Sequence, residues 1–248
     1  MTRLAFAPDF VEEVVLLAES GLAPAERRTF RRARDPVYDI PDEQLREDRF
    51  RALHREWFDR LGLGRVVEET VRESCSVEEA RILRAQSRRE EGADLVDRVR
   101  SHPSGVVPVL VVRLRPMTIL DREATRALLR HELMHVQDML DPAFGYQRSL
   151  PSDTGALTET TLRDRYRVLW DTTIDGRLAR AGHATDRTRA VRLHEFETMF
   201  PMFGRKAPAV FDTWFDRSRP THDDLLAFAR TPTSCFDEAE HADNLECH

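Results

Sequence analysis

Residues 120–140 read LDREATRALLRHELMHVQDML, a helical stretch that Asp141-Pro142 brings to an end. Leu129, Leu133, Val136 and Leu140 recur at spacings of four, three and four, which is the apolar stripe of an amphipathic α-helix. Within it His131 and His135 stand four apart, so both imidazoles project from one face and can bind the same zinc ion. Glu132 lies one position along, near enough to take a proton from a metal-bound water. Ligand face and packing face are therefore separate.

Working outward, VVPVLVVRL at 106–114 is β-branched and apolar, the clearest strand in the chain. Pro108 near its beginning predicts either an edge position or the first residues of the strand. Most of the first hundred residues read as helix: one segment carries Phe10, Val14, Leu17 and Ala18 up to Gly21, a second runs from Pro24 to Arg34, and a third carries Leu45, Phe50, Leu53, Trp57 and Leu61. Ser76-Val77-Glu78-Glu79 resembles a capping box, which predicts a helix reaching the 88–99 region with an interruption at Gly92. Further helices are expected at 158–181, ended by Gly182, and near 187–200 and 221–230. The sum is an α+β, mostly helical chain with a small sheet. We expect one domain over 1–230, divided into a helical N-terminal part (1–100), a metal-site core (101–182) and C-terminal helices (183–230), followed by an acidic tail at 231–248.

Composition bounds the partners. Of 248 residues, 41% are apolar and 33% charged, an ordinary balance for a folded chain. The net charge of −6 argues against a general nucleic-acid binder. Lys206 is the one lysine among 38 basic residues, a bias that coding composition explains as readily as chemistry. The run Arg27, Arg28, Arg31, Arg32 and Arg34 reads as the solvated face of a helix before it reads as an anion site. No apolar run approaches a membrane span, and the N-terminus has acids where a signal peptide needs an apolar stretch. Three cysteines, Cys75, Cys235 and Cys247, suit a reducing compartment. A cytoplasmic location is the expectation.

Two histidines leave a catalytic zinc short of one protein ligand. The stretch LWDTTIDGRL at 169–178 supplies a candidate, because Asp171 and Asp175 are four apart beside Ile174 and Leu178. Two acids bordering apolar residues in mid-helix are costly unless positive charge meets them, and a zinc site would provide it. The pair of H-E-x-x-H and a later helix bearing acid-x-x-x-Asp resembles the gluzincin branch of the zincin metallopeptidases, over residues 105–182 at most. That resemblance implies a zincin-like fold, peptide-bond hydrolysis, Asp171 as third zinc ligand and Asp175 as the residue that orients a ligating histidine, His131. It also implies an edge strand that holds an extended peptide substrate through main-chain hydrogen bonds, a role that 106–114 would fill. Asp171 is one methylene shorter than the usual Glu, so the helices must approach more closely or the ligand shifts to Asp175; aspzincins use aspartate in this way.

Asp141 is a rival ligand, since it stands where metzincins place their third donor. That arrangement needs a sharp turn at Asp138, where metzincins carry glycine, and the following Pro142 already accounts for Asp141 as a helix terminator. A donor for the transition-state oxyanion would come from Tyr146, Arg177, His183 or His194. His194 lies on a segment with Phe196, Met199 and Phe200, where core packing competes with catalysis. Cys235, His241, Cys247 and His248 offer soft ligands for a second metal, but C-x5-H-x5-C-H matches no usual zinc module. The expected activity is zinc-dependent peptidase action on a peptide or protein, with Glu132 as general base. The alternative is a non-catalytic, metal-stabilised binding or regulatory protein.

Overall fold

In the computed structural model of the chain, which describes residues 2–74, 76–99, 106–149, 158–185 and 187–233, the apolar run at 106–114 is a strand. The sheet has four strands: β1 (Arg3–Phe6), β2 (Glu79–Arg84), β3 (Gly92–Val99) and β4 (Val106–Leu114), in the order β1-β2-β4-β3. β1, β2 and β4 run parallel, and β3 is antiparallel to β4. Val109 and Val111 point to one face of β4 and Leu110, Val112 and Leu114 to the other, and all five are buried. Burial on both faces explains why the sequence is apolar without alternation. The expected edge role for 106–114 is thus corrected: β4 is interior, Pro108 is its third residue, and β3 is the terminal strand beside it.

The helix predicted from Ser76 is also corrected, because its span holds β2 and β3. Ala80 and Ile82 are buried while Arg81 is exposed, a period of two that outweighs the apparent capping signal. Glu79, the supposed capping partner, instead accepts from Arg3 and Arg81 at 2.8 Å each. Its hydrogen bonds with Arg81 and then Arg3 hold its carboxyl down at about 2.

Contacts cluster into two units, Met1–Val136 and Gln137–His248. The first holds the sheet with α1 (Pro8–Glu19), α2 (Pro24–Arg34), α3 (Glu43–Arg60), α4 (Arg65–Ser74), α5 (Pro116–Leu120) and most of α6 (Arg122–Leu140). Phe6, Phe10, Phe30, Trp57 and Phe58 form its aromatic core. The arginine run on α2 is partly structural: Arg27 donates to the carbonyl oxygens of Glu19, Ser20 and Leu22 at the end of α1, and Arg31 and Arg34 pair with Glu19. Such side chains satisfy carbonyls that a helix end leaves without partners. The second unit holds α7 (Glu159–Arg180), α8 (Arg189–Met199), α9 (Ala207–Phe215) and α10 (His222–Arg230), with α8, α9 and α10 packed on α7. β1, α4 and α9 were not legible in the sequence. Among the described residues no helix is long and apolar enough to cross a membrane. The acidic tail from 234 onward, with Cys235, His241, Cys247 and His248, lies outside the described residues, as does Cys75.

Two predictions follow from this packing. A Cβ at Gly176 of α7 would fall 1.7 Å from the Phe215 carbonyl oxygen of α9. Gly176→Ala should therefore force the helices apart and lower stability by about 3 kcal/mol or more in a denaturant titration; an unchanged midpoint would contradict the contact. His54 is buried between Phe30 and Phe50 and has no hydrogen-bond partner at either ring nitrogen, and burial lowers its pKa from the ordinary 6.5, with Glu12 opposing and Arg34 assisting. The unfolded chain thus takes up this proton first, so stability should fall as pH drops below about 6.5 and through the lower folded value. His54→Met should flatten that acid slope; an unaltered slope would show that His54 does not produce it.

Candidate metal site

α6 begins where Asp121 Oδ1 accepts from the backbone N–H groups of Glu123 and Ala124, at 3.1 and 3.0 Å. The helix buries Leu129, Leu133 and Val136 completely, whereas Leu140 is exposed at its end. His131 and His135 sit on the face opposite this stripe, with ring centroids 5.1 Å apart. His131 is buried; His135 and Glu132 are half-buried. Glu132 Oε2 accepts the Ala93 N–H at 3.2 Å, so the start of β3 holds the proposed base. A Cβ at Gly92 would lie only 3.0 Å from the same oxygen, so glycine lets the strand come this close.

α7 is capped by Thr158, whose hydroxyl accepts from Thr161 N at 3.1 Å, and it carries Asp171 and Asp175 along one face. One ligand atom from each of His131, His135 and Asp171 lies within 4.8 Å of the others, and this group could hold a metal ion. Among the described residues it is the one such group, and neither Asp175 nor Asp141 belongs to it. Asp141 acts as the helix terminator, its side chain accepting from Ala143 N at 2.9 Å. α6 continues through Asp138 with no left-handed residue there, so the turn that the metzincin arrangement needs is not made.

The positive partner of the α7 acids is a residue that sequence reasoning passed over. Arg192 of α8, itself buried, donates from Nε to Asp175 at 2.8 Å and from Nη1 to Asp171 at 3.0 Å and Glu195 at 2.8 Å. Burial alone would lower the pKa of this guanidinium, but Asp171, Asp175 and Glu195 outweigh it and hold the group above its ordinary value. The overlooked signal is positional: Arg192 falls on the buried stripe of α8, four residues before Phe196. Asp138 is a second omission. It is buried, accepts from Trp170 Nε1 at 2.6 Å, and pairs with both terminal nitrogens of Arg177 at 2.8 and 2.6 Å. Arg177 is thereby committed to an ion pair.

The remaining candidate donors separate clearly. His183 and His194 are exposed, so the core-packing account of His194 is corrected; Phe196 and Phe200 make that core. Tyr146 is half-buried against Trp170 and His222, with ring centroids at 5.6 and 6.0 Å. His222, not singled out in the sequence, is buried with Nδ1 2.8 Å from the Tyr166 hydroxyl, while its Nε2 has no hydrogen-bond partner. Burial raises the Tyr166 pKa and lowers the His222 pKa, so both groups of this hydrogen-bonded pair are held in their neutral forms. No family model matches the chain, and neither a curated protein nor a solved structure matches it.

Asp138 gives this subsection its prediction. Asp138→Ala leaves a buried indole N–H and a largely buried guanidinium without their acceptor. Stability should drop by about 3 kcal/mol, read as a shift in the unfolding midpoint. A change below about 0.5 kcal/mol, the level of an ordinary surface substitution, would contradict the assigned role.

Proposed function

We propose that the chain is a zinc-dependent metallopeptidase of zincin type. The observation that supports this is the grouping of His131, His135 and Asp171 with Glu132 next to the first of them. Two neutral imidazoles and one carboxylate match the donor set of a catalytic zinc site, which uses three protein ligands and leaves a fourth position open. Zinc held there would lower the pKa of its bound water and polarise a substrate carbonyl.

Glu132 supplies the proton transfer. Its Oε2 is fixed by the Ala93 N–H, which limits how far the carboxylate can swing. From that position it takes the proton of the attacking water and passes it to the leaving amine. The family resemblance implies that Asp175 orients His131, and Arg192 compensates the Asp175 charge. β3 ends the sheet among the described residues, so its outer edge suits an extended peptide by strand addition. A purely structural zinc site would use four protein ligands and would not need Glu132, which favours the enzyme over the metal-stabilised binding protein.

The test compares two variants by zinc titration and by mass-spectrometric cleavage of a peptide library. Glu132→Gln should retain zinc and lower turnover by about 100-fold or more. Asp171→Ala should weaken zinc binding by more than about 100-fold. Equal cleavage by wild type and Glu132→Gln would refute the mechanism, and unaltered zinc affinity in Asp171→Ala would refute the ligand set.

A further inference from the structure

We propose that Arg192 is a positioning residue that restricts Asp171 to metal coordination through one oxygen and so keeps a place open for water. The inference rests on the metal-site reading above. Nε bonds Asp175 and Nη1 bonds Asp171, so two different sides of one planar guanidinium hold two acids that stand four apart on α7. Nη1 holds Asp171 Oδ2 at 3.0 Å, which fixes the carboxylate plane and sets a guanidinium hydrogen against any chelating grip by both oxygens. Glu195, three residues on in α8, holds the same Nη1 at 2.8 Å and anchors the guanidinium from its own helix. Glu195 in turn lies 3.8 Å from Arg187.

Coordination arithmetic gives this contact a consequence. A chelating Asp171 beside two imidazoles would supply four protein donors, so a reactive water could enter only as a fifth ligand. A carboxylate with one oxygen engaged by an arginine supplies three. Aspartate also has one fewer torsion than glutamate, so one charged donor is enough to fix its orientation.

Arg192→Lys separates geometry from charge, because lysine keeps the cation and loses the planar fork. Zinc affinity, measured against a competing chelator, should fall about 10- to 100-fold. The visible absorption per bound Co2+ should fall about twofold or more as the coordination number rises above four. A lysine variant with the wild-type cobalt spectrum overturns the proposal, whatever its affinity. Should that variant fail to fold, wild-type protein decides: a four-coordinate cobalt spectrum supports the proposal, and a five- or six-coordinate one overturns it. Wild type that binds neither cobalt nor zinc overturns the metal site itself, an outcome distinct from a loaded site with unaltered variants.

Discussion

A carboxylate inside a folded chain must meet positive charge or lose its own, and the α7 acids are organised by that constraint. Asp175 is almost wholly buried and Asp171 half so, yet both are bound by Arg192, a guanidinium that burial would otherwise destabilise. None of the three is tolerable alone. Removing one partner from such a set leaves an uncompensated buried charge, a loss on the order of 3–5 kcal/mol. The same network presents Asp171 with a ligand atom within 4.8 Å of those of His131 and His135. Charge balance within the helices and metal-binding capacity are thus two consequences of one arrangement.

The sheet contributes by a different route. β4 is apolar on both faces because it is interior, and this places β3 as the terminal strand. β3 begins at Gly92-Ala93, where the missing side chain lets the backbone reach Glu132 and donate to it. A backbone donor on a paired strand is more rigid than a side-chain donor on a loop. The Glu132 carboxylate is therefore oriented by the fold rather than by a residue whose rotamer must itself be fixed.

What the sequence made legible follows from the strength of local signals. α6 and α7 announce themselves by long 3.6-residue periodicity and by ligand types at four-residue spacing, and the structure groups His131 and His135 with Asp171, the acid that the gluzincin resemblance implied, rather than with Asp175. β2 and β3 were misread because their segments are short, charged and preceded by a plausible cap; only pairing with β1 and β4 reveals Ala80 and Ile82 as one buried face. Arg192 and Asp138 were missed for another reason. Each is a charged residue at a position that burial alone would assign to an apolar one, and its partner lies 21 or 39 residues away. Periodicity marks such a position as buried but cannot name the group that neutralises it.

The central claim is that one metal ion is bound by His131, His135 and Asp171. X-ray absorption at the zinc edge of stoichiometrically loaded protein tests it most directly. The account predicts one tightly held zinc per chain, with two imidazoles, one carboxylate oxygen and one solvent oxygen around it, and loss of the carboxylate contribution in Asp171→Ala. Zinc that is not retained, or that is coordinated without imidazole, would contradict the account.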